Sequence, residues 1–308
     1  MHFNEYLRTC REHAKLTQEE LVHALYSYDI GSFAGIETST LSKWERSVVK
    51  PKLSRQVHIL KYFQEITGLP LPCWHEYSVD EAEELICKVG MKNLLGNSKE
   101  LVLNFPEKMI AADELKVLQL RNSDKIDKII DINIDLDKGF NHRFTELLPV
   151  HFKEWALHPS NSFFIAEYKE QFFGLLFSLR LKPEAFEKII NFEIKEKDLT
   201  AEDIASYDET GTNYVISFFA MNKKAATMLF IRHYAHLIAN QSSISEVGVS
   251  TMMDDGRKLL ANMNLKRHIC MKLDNGLILE SYRNSLSNLL ASEYVIKMIL
   301  SKQECPEE

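Results

Sequence analysis

The stretch from Leu16 to Arg46 constrains this chain most. Thr17 followed three residues later by Glu20 is a capping box, so a helix starts there and turns Leu21 and Leu25 inward. After a loop, the run Thr38-Ser39-Thr40-Leu41-Ser42-Lys43-Trp44-Glu45-Arg46 opens on three hydroxyl residues. Such residues cap a helix, and they can also donate to phosphates or base edges. Ahead of both, Phe3, Leu7, Cys10 and Ala14 recur at helical spacing. Behind them, Pro51 ends a turn, and Leu53, Val57, Leu60 and Phe63 place one more helix before Gly68-Leu-Pro-Leu-Pro72 breaks the pattern.

Charge sharpens this reading. The formal net charge of the 308 residues is −7, which is unfavourable for a polyanion partner. Residues 1–63, however, carry nine Lys/Arg against seven Asp/Glu, while the remainder carries 28 against 37. The basic excess sits at Lys43, Arg46, Lys50, Lys52 and Arg55, around the single acid Glu45. A local cluster of this kind is the footprint expected for phosphates, with a solvated charged turn as the alternative.

Two short helices joined by a turn form a helix-turn-helix, and at these residues the chain resembles the Cro/C1-type (XRE) family of repressors, over about residues 3–63. The resemblance implies DNA contacts from Thr17, Gln18, Thr38, Ser39, Thr40, Ser42, Lys43, Arg46, Lys50 and Lys52. Of these, Thr38, Ser39 and Lys43 lie on the base-reading face of a recognition helix. It also matches Arg11 and Glu45 to the pair that ties the first helix to the third. The segment Tyr26 to Glu37 is longer than the family's connection, and Tyr26, Tyr28, Phe33 and Ile36 suggest that it packs.

The rest of the chain changes period. Ser78 with Glu81 is a second capping box, opening a helical connector that reaches about Pro106. Leu115–Leu120 reads as a strand, Ser123–Leu136 and Phe140–His158 as helices. Ser162–Tyr168 and Phe172–Arg180 form a hairpin about Lys169-Glu170-Gln171. Residues 183–211 read as acidic and helical, Tyr214–Phe219 and Ile244–Val249 as strands, and Ala225–Ala239 and Met252–Met263 as helices. A second hairpin turns at Asp274-Asn275-Gly276, and Asn284–Ser301 closes the chain as one helix.

This order resembles the GNAT acetyltransferase fold over about residues 111–282. The resemblance implies a pyrophosphate loop at Met221–Ala226, and hence cofactor contacts from Phe219, Met221, Lys223, Lys224 and Ala226, with acyl-CoA or a related ligand as the cofactor class. Only Ala226 agrees with the family's loop, and Lys224 stands where glycine would let backbone approach phosphate. Leu260 takes the place of the tyrosine that often serves as general acid, so no catalytic residue is assigned. Glu167, His233 and His236 are candidates by type only, and each reads more simply as a rim or packing residue.

The expected fold class is therefore multidomain: an all-α helix-turn-helix domain (1–68), a helical connector (69–110) and an α/β GNAT-like domain (111–303). The expected function is sequence-specific transcriptional regulation, with double-stranded DNA, a homodimer partner and a small-molecule effector. The alternative is an active N-acetyltransferase carrying a DNA-binding module, and a third reading makes the N-terminal part a protein-interaction module. Five cysteines scattered without C-x-x-C spacing suggest a reducing cytoplasm, with the protein on the bacterial nucleoid when bound. Cys73, His75 and Cys87 fit no common zinc spacing, so no metal is expected. The longest apolar run, Phe172–Leu179, is too short to span a bilayer, and no membrane association is expected.

Overall fold

Capping chemistry sets the helices of the first third. In the computed structural model, which describes residues 1–96, 115–139, 147–274 and 276–300, they run as α1 (Phe3–His13), α2 (Gln18–Tyr28), α3 (Ile30–Phe33), α4 (Thr38–Glu45) and α5 (Leu53–Thr67). Thr17 and Glu20 close the capping box reciprocally, with Glu20 N–H donating to Thr17 Oγ1 at 3.2 Å and Thr17 N–H to Glu20 Oε2 at 2.7 Å. Gly68 ends α5 at φ +69°, in the left-handed region where glycine carries no Cβ penalty. The segment 26–37 does pack, through one residue above all. Asp29 stops α2 and caps α3, which buries Phe33 completely, while Tyr26 and Tyr28 stay exposed. The arrangement is thus three helices in succession, not two joined by a turn.

Ser78 and Glu81 start α6 (Val79–Gly96), and the connector's expected continuation to Pro106 lies outside the described residues. The remaining elements are β1 (Leu115–Gln119), α7 (Ile126–Gly139), α8 (Pro149–Leu157), β2 (Ser162–Tyr168), β3 (Gln171–Leu181), α9 (Pro183–Ile190), β4 (Gly211–Ala220), α10 (Lys223–Ala239), β5 (Ile244–Thr251), α11 (Asp254–Asn262), β6 (Lys266–Lys272), β7 (Ile278–Ser285), α12 (Leu286–Leu290) and α13 (Glu293–Ile299). The seven strands make one sheet in the order β1-β2-β3-β4-β5-β7-β6. Every pairing is antiparallel except β4 with β5.

The sheet is covered on both faces. One face packs on α10, α6 and the N-terminal helices in a single continuous core, and the other packs on α7, α8 and α9. That is why β2 and β3 read as unbroken apolar runs: a strand buried on both faces has no polar side to alternate with. Phe163 and Phe177 stack across the β2–β3 pair with centroids 4.4 Å apart.

Two sequence expectations change, and two lie partly outside the described residues. The helix expected over 183–211 stops at Ile190, and two 3₁₀ turns, Glu196–Asp198 and Ala201–Asp203, lead to β4. The start of the helix expected over Phe140–His158 falls outside the described residues, as does Asn275 of the second hairpin turn. The closing helix is split because β7 runs on through Asn284 and Ser285. Ser285 then caps α12, and Ser292 caps α13, each hydroxyl accepting a backbone N–H three residues ahead.

Candidate active site in the cleft between diverging strands

Strand β4 pairs in parallel with β5 only over its own first half, from Gly211 opposite Ile244 to Val215 opposite Val249. Beyond Val215, β4 stays on β3 as far as Ala220 opposite Gly174, while the last residues of β5 stay on β7. The two strands therefore part and leave a wedge. A cavity of about 1060 Å³ fills it, a volume at the upper end of ligand-binding clefts. Its walls come from β4, β5, α10 and α11 and from the α7 and α9 side of the sheet, so it reaches both faces. The lining is mainly apolar, with Ile216, Phe218, Phe230, Leu260, Leu265 and Leu289 among its residues.

Polar groups gather where the strands separate. Tyr214, the last β4 residue but one to keep a β5 partner, is buried, and its hydroxyl lies 3.2 Å from Glu196 Oε1 and 3.1 Å from Ser250 Oγ. Burial first, then the nearby Glu196 carboxylate, raise the Tyr214 pKa well above the ordinary phenol value, so this hydroxyl stays protonated and donates. His233, one helical turn into the wall from Phe230, is also buried, and desolvation lowers its pKa to about 4. It is neutral at physiological pH, and its Nδ1 has no hydrogen-bond partner among the described residues. Asp255 and Lys258 add charge at the α11 side.

The sequence-derived candidates separate cleanly. His233 lines the cavity, but Glu167 is held by Lys125, whose Nζ lies 3.1 Å from both carboxylate oxygens, and His236 packs edge-on against Phe164. Phe219 lines the cavity on β4, Met221 N–H donates to Phe173 O, and Lys223 and Lys224 open α10. Asn222 caps that helix by accepting from Ala225 N–H at 2.8 Å, and Ala226 is buried. Leu260 and Tyr214 both line the cavity. Tyr214, Glu196 and Ser250 are 18 and 36 residues apart in pairs, a separation that forms no local motif. Asp254 starts α11, and the described residues hold no group of three or more metal-ligating side chains.

On the N-terminal helices three polar side chains, Arg11, Gln18 and Glu45, bond one another. Glu45, 5% exposed, receives Arg11 Nε at 2.6 Å and also Gln18 Nε2 at 2.7 Å. The Arg11–Glu45 tie is therefore present, and the side chain of Gln18 is drawn into it. Thr17 is spent on its cap, and Ser39 Oγ donates to Glu37 Oε2. Thr38, Lys43, Arg46, Lys50 and Lys52 are exposed, with Thr40 and Ser42 half-buried on α4. Glu37 sets a carboxylate beside the N-terminus of α4, the end a phosphate would approach. Ser32, His58 and Asp29 adjoin one another, but both contacts converge on His58 Nδ1 at 2.6 Å. The three cannot relay a proton through the ring as a nucleophile triad does.

No family model matches the chain, and no curated protein matches it. Among solved structures, it is similar to FeeM, an N-acyl amino acid synthase from uncultured soil microbes, with 10% identity, a TM-score of 0.39, and coverage of 57% of this chain and 91% of that one. It is also similar to the C-terminal condensation domain of Ebony in complex with beta-alanyl-dopamine, with 11% identity, a TM-score of 0.35 and coverage of 56% and 98%. A third, described as a putative acetyltransferase, has 11% identity, a TM-score of 0.34 and coverage of 64% and 97%. These neighbours are acyltransferase-like, and they correct the expectation of a sequence-specific DNA-binding regulator of the XRE family. In the N-terminal helices Gln18 bonds Glu45, Thr17 caps its own helix, Glu37 precedes α4, and the extra helix α3 lies between α2 and α4.

Proposed function

We propose that this chain transfers an acyl group from a thioester donor to an amine in the wedge between β4 and β5. The observation that carries this reading is the large apolar cavity at the point where two parallel strands part. From Ser217 to Ala220, β4 pairs with β3 on one side only, which offers a polar backbone edge to an extended, amide-containing donor arm. The apolar remainder of the cavity suits an acyl chain longer than acetyl, at about 0.8 kcal/mol for each buried methylene. His233 Nδ1, buried beside that space, is an orphaned polar atom that a bound ligand could satisfy.

Acyl transfer forms a C–N bond and breaks a C–S bond, so the attacking amine must lose a proton and the departing sulfur must gain one. Glu196 is the carboxylate placed to accept a proton, and the Tyr214 hydroxyl is the group placed to supply one or to hydrogen-bond the carbonyl oxygen as charge develops. Ser250 fixes the direction of that hydroxyl. The test is to measure free-thiol release from acyl-CoA donors of increasing chain length with a panel of amines, beside thermal stability with donor alone. A donor at 100 times its dissociation constant should add about 2.7 kcal/mol. Thiol release with a long-chain donor supports the proposal, and neither release nor stabilisation with any donor at millimolar concentration overturns it. Tyr214→Phe keeps the ring packing and removes the hydroxyl. It should lower turnover by roughly 10²–10⁴-fold while leaving the stabilisation by donor intact.

A further inference from the structure

Two cysteines distant in sequence meet far from the wedge. Cys10 lies on α1, one turn after the fully buried Tyr6, and Cys73 lies in the loop between α5 and α6. Their sulfurs are 3.1 Å apart, although 63 residues separate them. Cys10 is 2% exposed and Cys73 is half-buried, so one sulfur is sheltered and the other is within reach of a small solute. Cys73 stands at φ +69°, a conformation that a non-glycine residue holds only where its surroundings impose it. Those surroundings are the junction between the N-terminal helices and the sheet. Leu71 N–H donates to Gln241 Oε1, Gln64 Nε2 donates to Ser287 O at 2.8 Å, and Trp74 is fully buried.

We propose that Cys10 and Cys73 are a thiol-oxidation site, at which a hydroperoxide converts the pair to an intramolecular disulfide that fastens α1 to the loop leading into α6. Disulfide sulfurs lie about 2.05 Å apart, so the pair must close by roughly 1 Å, a movement within reach of one side-chain rotation in the loop. The order of events follows from the environment. Burial holds the Cys10 thiol well above its ordinary pKa, whereas the hydrogen bond from Cys10 lowers that of Cys73, so Cys73 is the nucleophile and Cys10 the resolving thiol.

In the first step the Cys73 thiolate attacks one peroxide oxygen. The O–O bond breaks, a sulfenic acid forms, and the second oxygen leaves as alcohol or water with a proton. In the second step the Cys10 sulfur attacks the Cys73 sulfur. The S–S bond forms, the S–O bond breaks, and the departing hydroxide leaves as water with the Cys10 proton. The two sulfurs together lose two electrons, and the peroxide gains them. The consequence is mechanical. Arg232 of α10 bonds Asp80 and Glu83 of α6, so the fastened loop is tied through α6 to the helix that walls the wedge.

The test uses the full chain. Reduced protein is treated with equimolar hydrogen peroxide, its remaining thiols are alkylated under denaturing conditions, and the digest is read by mass spectrometry. The expected result is a linked peptide pair containing Cys10 and Cys73, released by dithiothreitol and formed at least tenfold faster than oxidation at Cys87 or Cys270. In Cys10→Ser, a sulfenic acid at Cys73 should persist and react with dimedone. Peroxide that leaves both cysteines alkylatable overturns the proposal, as does a Cys73 that pairs only between molecules. The wild-type digest decides the question even where a variant fails to fold.

Discussion

Lowering the pH from 7.5 to 5.5 should destabilise this protein, with two buried histidines as the main cause. His233 and His236 lie on one face of α10, both buried, and burial lowers their pKa values from 6.5 to about 4 and about 3. For His236, the nearby charges of His233, Arg180, Arg232 and Arg121 act in the same direction. The unfolded chain takes up protons as the pH falls through 6.5, and the folded chain does not until near 4. Stability is therefore full above about pH 7.5 and falls with pH below it. At pH 5.5 each histidine costs about 1.4 kcal/mol, roughly 3 kcal/mol for the pair, with a slope approaching 2.7 kcal/mol per pH unit. Carboxylates with lowered pKa values, such as Glu187 and Glu280, have unfolded values near 4.5 and stay ionised in both states across this window. His158, also shifted down by burial, adds in the same sense. The assay is urea denaturation at half-unit pH intervals, with His236→Gln alongside. The variant should lose about half of the slope whatever its stability at pH 7.5. A wild-type curve flat between pH 6.5 and 5.5, or a variant with unchanged slope, would refute the buried, neutral state assigned to these side chains.

Three further outcomes are expected. A Cβ added at Gly248 would sit 2.5 Å from Phe186 Cε2 and 2.7 Å from Cζ, so Gly248→Ala should cost about 1–3 kcal/mol by denaturant titration. Arg180, 1% exposed, donates to the carbonyls of Ser206, Glu209 and Ser243, and Arg180→Met should cost roughly 3–5 kcal/mol as those acceptors lose their donors. Donor binding should tighten with acyl length in calorimetry, and Leu260→Trp, which adds bulk to the apolar lining of the cavity, should abolish that trend while sparing acetyl donors.

Local chemistry made much of this fold legible in the sequence. The capping boxes at Thr17 and Ser78, the stop at Gly68, the hairpin after Tyr168 and the helix across Ala225–Ala239 depend on residues within a few positions of one another, and each stands where the sequence placed it. The order of strands and helices follows from hydrophobic period, which is also local. The closing helix was misread for the same reason. Its apolar spacing is helical, but pairing with β5 drew Asn284 and Ser285 into β7.

The wedge and its chemistry belong to tertiary structure. Nothing in Tyr214–Phe219 says that Tyr214 and Val215 keep a β5 partner while the later residues pair with β3 alone, because that depends on strand pairing across the sheet. Tyr214, Glu196 and Ser250 become neighbours only when the sheet and the 3₁₀ turn after α9 close together, and Cys10 meets Cys73 only when α1 docks beside the loop after α5. The N-terminal stretch shows the converse. Its residues hold a local pattern that resembles a DNA reader, but a side chain's use depends on its neighbours in space. In the folded chain, Gln18 is joined to Glu45 and Thr17 to its own helix. Sequence determined which segments are helix and strand, since capping and period act over a turn or two. The fold decided which polar groups face a cavity and which face each other, since that is settled by contacts between residues tens of positions apart.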